Sequence, residues 1–192
     1  MAEPGGRAPS APSERRDARR NRTALLAAAA EVFEVGGVDA PVREIAARAG
    51  VGVGTIYRHF PSRADLVVAV YLHQVDDLAR AGPALLARCD SPTEALRQWV
   101  QRFVGFLVTK HGLAVTLASG AGGARLHDHF LDVLVPVCGD LLAAGEASGE
   151  ISPGTGAYEL MRAVGNLCID QGSDGRYDAR HMVDVLLTGL RA

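Results

Sequence analysis

The sequence predicts an all-α protein of about nine helices, a three-helix head carrying a helix-turn-helix set before a larger helical body. Three observations carry this. Apolar residues recur at spacings of three and four from residue 25 to residue 190. No stretch alternates apolar with polar as a half-buried strand does, and no hairpin signal appears. Two short helical patterns, Val42 to Ala49 and Val53 to Phe60, are joined by a glycine-bearing turn at Gly50-Val51-Gly52.

The elements follow in order. Residues 1–14, with Pro4, Gly5, Gly6, Pro9, Pro12 and Ser13, hold too little apolar surface to order themselves and are expected to be a flexible arm. A first helix runs from about Ala18 to Glu34, with Leu25, Leu26, Ala29, Val32 and Phe33 on one side. Gly36-Gly37 stops it. The second helix begins near Pro41, suited to a first turn because its missing N–H has no partner there, with Asp39 as a candidate cap. Ile45, Ala46 and Ala49 face inward and Arg43, Glu44 and Arg48 outward. Gly50 closes it.

Pro61-Ser62 ends the third helix, and Ser62-x-x-Asp65 is a capping box for a long fourth helix reaching about Ala87. Ser91-Pro92-Thr93-Glu94 starts a fifth, carrying Leu96, Trp99, Val100, Phe103 and Leu107 to about Lys110. A short helix, Leu113 to Ala118, and a loop, Ser119 to Gly123, are expected next. Arg125 to Ala147 keeps helical spacing although Pro136 removes one backbone bond, and a strand over Leu131 to Cys138 is the competing reading. Ala157 to Asp170 and Asp178 to Leu190 close the chain, linked by Gln171 to Arg176. The domains read as arm 1–14, head 15–62 and body 63–192.

Composition narrows the function classes. The 192 residues are 48% hydrophobic and 22% charged, without a run near the roughly 18 apolar residues needed to span a bilayer. The front of the chain is too polar for a secretory signal, so a cytoplasmic location is expected. Cys89, Cys138 and Cys168 lack metal or redox spacing and read as small buried hydrophobes. Nineteen arginines accompany a single lysine, Lys110. The net charge of −2 hides an asymmetry: residues 1–63 hold ten arginines against seven carboxylates, the remainder ten cations against fifteen. A basic front suits a polyanionic partner.

The chemistry gathers around Gly50. Two short helices behind a longer one are the minimum for presenting a helix to the major groove of DNA. Val53, Gly54 and Thr55 stand at the front of that helix: Gly54 permits close approach, Thr55 can bond a base or a phosphate, and Val53 can touch a thymine methyl. Tyr57 and His59 can donate to phosphates and Arg58 can fork onto guanine, although half-buried packing and a surface histidine are the plain alternatives for Tyr57 and His59. Arg15 to Arg22 holds five arginines in eight residues, either a solvated helix start or a phosphate contact. Gly50-x-Gly52-x-Gly54 also imitates a nucleotide-binding loop, but it follows a helix rather than a strand and no Gly-Lys-Ser/Thr succeeds it.

Taken together, Ala27-Ala28, Phe33, Gly37, Val42-Arg43-Glu44-Ile45-Ala46, Ala49-Gly50-Val51, Gly54 to Phe60 and Arg63-x-x-Leu66 resemble the DNA-binding domain of the TetR family of bacterial transcriptional regulators. The resemblance covers about residues 16–71; the rest matches only in being helical and of suitable length. It implies base contacts from Arg43, Val53, Gly54, Thr55 and Arg58, and phosphate contacts from Tyr57, His59, Arg63 and Arg22. Two departures, Gly52 and Pro41 where relatives often carry a hydroxyl, shift phosphate binding toward arginine and backbone N–H groups. The resemblance also implies a homodimer on a palindromic operator, acting most simply as a repressor released by a small-molecule effector.

The dimer face would come from the last two helices, through Leu160, Val164, Leu167, Met182, Val185, Leu186 and Gly189, unless those stripes only fill the monomer core. A body rich in Leu, Val and Ala can enclose a pocket for a small apolar or amphipathic effector; Trp99, Phe103, Phe106, His111, Met161 and Cys168 are its candidate lining, with core packing as the alternative for each. No nucleophile–base pair, cofactor motif or metal set is present: His127 and His129 point apart on a helix, and Asp128 with Asp132 lack a third partner. Catalysis is not expected. A DNA-binding regulator without an effector, and an enzyme with an accessory DNA-binding head, are the rival readings.

Overall fold

The computed structural model describes residues 11–116, 121–169 and 176–192. Among them are eight helices: α1 (Ala11–Gly36), α2 (Val42–Ala49), α3 (Val53–His59), α4 (Arg63–Arg88), α5 (Pro92–Thr116), α6 (Ala121–Ala147), α7 (Ala157–Leu167) and α8 (Ala179–Thr188). The chain is all-helical, apart from one isolated antiparallel bridge between Ile151 and Arg191.

The count is eight rather than nine because the fifth and sixth expected helices are one. Gly112 sits inside α5, where an internal glycine costs about 1 kcal/mol against alanine without ending the helix. At the front, α1 starts at Ala11, inside the stretch expected to be a free arm. Alanine, glutamate and arginine are strong helix formers, and Pro12 falls in the first turn where its ring does no harm. Residues 1–10 lie outside the described residues, as do 117–118 of the expected short helix, 119–120 of the expected loop, 170 at the end of the helix expected from Ala157, and 171–175 of the last link; Ala121 to Gly123 belong to α6.

Local signals act much as read, with two exceptions. The Ser62–Asp65 capping box is formed reciprocally, Asp65 N–H donating to Ser62 Oγ at 3.1 Å and Ser62 N–H to the Asp65 carboxylate at 3.0 Å. Ser91 Oγ accepts from the Glu94 amide at 3.2 Å. Pro41, however, is the N-cap of α2 in an extended conformation and not its first helical residue, and Asp39 caps nothing. Helix α8 ends before Leu190 because the chain end turns extended to pair with the α6–α7 loop, Ser152 N–H donating to the Leu190 carbonyl at 2.8 Å and Ala192 N–H to that of Glu150 at 3.2 Å. Pro136 lies within α6, so Leu131 to Cys138 is helix; Pro83 likewise lies within α4.

One continuous core runs the length of the molecule, and α4 belongs to both ends of it. Leu66 and Val67 pack with Phe33, Ile45, Ile56 and Phe60 in the head, while Tyr71, Val75 and Leu78 pack among α5 and α6 residues in the body. The Trp99 indole N–H donates to the Leu78 carbonyl at 2.9 Å, tying α5 to α4 with no buried donor left over. Among the described residues no helix is long and apolar enough to cross a membrane.

Candidate functional site: the helix-turn-helix and a cleft in the body

The turn is built by Gly50. Its φ of 66° is left-handed, a conformation that costs a side-chain-bearing residue and suits glycine. There Gly50 N–H reaches the Ala47 carbonyl at 3.3 Å and Val51 N–H the Ala46 carbonyl at 3.0 Å, closing α2 within two turns. Gly52 is the N-cap of α3, without a side-chain cap bond. Ile45 and Ala46 of α2, which packs on α1, and Ile56 of α3 are buried in the core, which leaves the opposite faces of α2 and α3 outward.

On those faces lie Arg43, Val53, Gly54, Tyr57, Arg58 and His59, all exposed, with Thr55 half-buried between them. Tyr57 is 49% and Val53 39% exposed. Among the described residues Arg43, Tyr57 and Arg58 form no side-chain hydrogen bond or ion pair within the chain, so their donors are free. A Cβ placed on Gly54 would meet nothing within 4 Å. Nothing in the fold therefore requires a glycine there. Arg22 on α1 sits 5.4 Å from the centre of the Phe60 ring, at the flank of the same face.

Arg63, expected on a phosphate, has its guanidinium turned into the head in this structure. Its Nε donates to the Val38 carbonyl at 2.8 Å and its Nη2 to the carbonyls of Val38 and Ala40, the latter at 2.6 Å, with the guanidinium 5.8 Å from the Phe33 ring centre. It pins the α1–α2 loop to α4. Sequence gave no sign of this, because the partners are backbone carbonyls that no side-chain pattern advertises.

The body holds an open cleft of about 290 Å³ between α5, α6 and α7. Phe103 and Met161 line it, together with residues not anticipated: Leu107, Lys110, His127, Phe130, Leu131, Tyr158, Arg162, Gly165, Asn166 and Ile169. The other expected lining residues are elsewhere. Trp99 is fully buried on Leu78, Cys168 is buried in the core, and Phe106 faces a second hollow beside Glu34, Gln101 and Arg180; the His111 side chain lies outside the described residues. One signal was available: Lys110, the chain's only lysine, stands at the end of the apolar stretch Phe103 to Leu107.

The closing helices also divide differently. Leu160 and Val164, expected on a pairing face, are 2% and 0% exposed and fill the chain's own core. Leu167 and Leu186 are half-buried, while Met182, Val185 and Gly189 are outward on α8, with Met182 at 37% and Val185 at 51%. Tyr177 Oη donates to the Leu167 carbonyl at 2.8 Å and sets the entry to α8. Arg180 at the start of α8 reaches Glu34 of α1 at 3.2 Å, so the body touches the head directly.

Comparison with known proteins places this arrangement. Residues 25–70 match the profile of bacterial regulatory proteins of the tetR family, and residues 91–192 match the C-terminal domain of SbtR-like transcriptional regulators. The TetR transcriptional regulator SCO0520 of Streptomyces coelicolor is similar at 34% identity and a TM-score of 0.74, over 88% of this chain and 98% of that one. A TetR regulatory protein of Mycobacterium vanbaalenii is similar at 31% identity and a TM-score of 0.69, over 93% and 99%. FasR of Mycolicibacterium smegmatis, an HTH-type transcriptional activator, is 39% identical over 93 residues, 48% of this chain and 42% of that protein, so the match spans less than half of that relative's length. The chain belongs to the TetR family of transcriptional regulators. It is a DNA-binding regulator and not an enzyme.

Proposed function

We propose that the chain is an effector-controlled repressor that binds a palindromic operator as a homodimer in the cytoplasm. The observation that carries this is the cluster Arg43, Tyr57 and Arg58, exposed and without partners on the outer faces of α2 and α3. Val53, Gly54 and Thr55 at the head of α3 would meet base edges, and Tyr57, His59 and Arg22 would meet phosphates. Two such helices about 34 Å apart would read the half-sites. Outward Met182, Val185 and Gly189, with half-buried Leu167 and Leu186, favour pairing through α7 and α8.

Control would act through the spacing of the two heads, a population shift between a form that fits the operator and one that does not. The α4 helix supports this reading. Tyr71 Oη donates to the Leu126 carbonyl at 2.9 Å, one residue from His127 at the cleft, while Leu66 and Val67 on the same helix lie in the head core. A ligand that displaces Leu126 would move Tyr71, and with it the head. The Arg180–Glu34 pair gives a second connection.

The test is selection of the bound operator from random DNA, followed by a promoter reporter built on it. Rising expression on deletion of the protein supports a repressor. Falling expression would put it beside FasR, which is named an activator. Operator binding that no small molecule alters would favour a regulator without an effector.

A further inference from the structure

We propose that the cleft between α5, α6 and α7 takes an organic anion. A single acid group would lie between Lys110, Arg162 and His127, and an aromatic or branched apolar body would lie on Phe103 and Phe130. The inference rests on the effector reading for its regulatory consequence, and on the cleft alone for its chemistry.

Two cations and an imidazole line this cleft together. Lys110 is half-buried at the edge of an aromatic floor, its Nζ 3.9 Å from the centre of the Phe130 ring. The imidazole of His127 stacks on that ring at 5.7 Å and 19°, and Phe103 stacks on it at 6.0 Å and 14°. Arg162 projects into the same cleft from α7. Elsewhere in the body Arg97 pairs with Glu94 at 2.8 Å, Arg180 with Glu34 at 3.2 Å and Arg80 with Asp77, whereas Arg88, Arg102 and Arg191 form no ion pair among the described residues. Lys110 and Arg162 have no carboxylate partner, and no Asp or Glu lines the cleft, among the described residues.

The body holds fifteen carboxylates against ten cations, and none of those described lines this cleft. Burial, and then repulsion from Arg162, push Lys110 down to about 8; burial and Lys110 also lower His127, against the opposing pull of Asp128. Holding like charges together on an apolar floor is unfavourable unless an anion joins them. The ring face under Lys110 offsets part of that cost and fixes where the ammonium sits. A volume of about 290 Å³ is at the small end for ligand sites, roughly 300–1,000 Å³. It has room for one ring or a short branched chain with one acid group, and the aromatic floor offers no donors for a second.

The test uses the full chain and three probes of one shape: 4-phenylbutyrate, 4-phenylbutanol and 4-phenylbutylamine, compared by titration calorimetry. The acid is expected to bind about tenfold or more tightly than the alcohol, since a charge-assisted bond is lost with the acid, and the amine not to bind. Lys110→Met should remove the preference for acid over alcohol while leaving the alcohol's affinity unchanged, and Arg162→Gln should reduce the preference. Equal binding of acid and alcohol, or binding of none of the three at millimolar concentration, overturns the proposal. So does an unchanged acid preference in Lys110→Met.

Sedimentation of both variants covers the remaining possibility. If they lose self-association while acid binding persists, these cations serve a second copy of the chain and the proposal falls. If the acid binds as expected but leaves operator affinity untouched, the site stands and the effector reading falls instead.

Discussion

Arg43 and Arg58 in the head and Lys110 and Arg162 in the body all lack a carboxylate partner among the described residues, and solvent makes them different devices. Arg43 and Arg58 are exposed on the outer faces of α2 and α3. They are solvated, cost little to leave unpaired, and can exchange condensed counterions for contact with a long polyanion. Lys110 is half-buried on an aromatic floor and is pushed down to about 8 by burial and by Arg162. An unpaired ammonium there is unfavourable in itself, and one small anion relieves it. The same residue types thus favour an extended, salt-sensitive partner at one end and a compact ligand at the other. The α4 helix lies in both cores and joins them.

The comparison can be broken most sharply at the head. Arg43→Ala and Tyr57→Ala should each weaken operator binding about 10- to 100-fold, corresponding to about 1–3 kcal/mol for a base contact or a close phosphate contact. Thermal stability and oligomeric state should not change, and anisotropy titration with scanning calorimetry would show both. Arg63→Met should do the opposite. It removes donors to the Val38 and Ala40 carbonyls, so stability should fall by about 1.5–3 kcal/mol, measured by urea unfolding. Operator affinity of the fraction that remains folded should change far less than in Arg43→Ala.

A smaller effect separates folding from reading at one position. Gly54→Ala meets no protein atom within 4 Å and should stabilise α3 by about 0.5–1 kcal/mol, while weakening operator binding because the groove is what needs the space. An unchanged operator affinity would remove Gly54 from the interface. The smallest effect concerns the body. Lys110 is lowered in the folded state, so its charge opposes folding below pH about 8, and that opposition fades as the pH rises toward the unfolded value near 10.5. Lys110→Met should therefore raise Tm at pH 7, with a gain that shrinks by pH 10. A gain that grows with pH would contradict the assignment.

The two regions also differed in how far they could be read from sequence. The head was legible because its determinants are contiguous: Gly50 in the turn, Ile45 and Ala46 inward, and Ser62 with Asp65 in the cap lie within about twenty residues. Each obeys a local rule of backbone conformation or helix periodicity. The cleft draws Phe103, Lys110, Phe130 and Arg162 from three helices, and nothing local says which faces of those helices meet. Phe103 and Met161 were anticipated as large residues on apolar stripes, and Trp99 and Phe106 on the same grounds, but a stripe does not tell a cavity wall from a filled core. Leu160 and Val164 show the same limit, since an apolar residue on a closing helix faces its own core or a partner with equal periodicity. Arg63 was out of reach for another reason: its partners are backbone carbonyls that become available only once the α1–α2 loop has its shape.

The most direct measurement is the affinity of the full chain for a selected palindromic operator between 50 and 200 mM salt, with stoichiometry read from the same titration. The account predicts two chains per palindrome, and a loss of affinity of about 10³–10⁵ across that range if six to ten phosphates are engaged. A flat salt response, or one chain per palindrome, would contradict it.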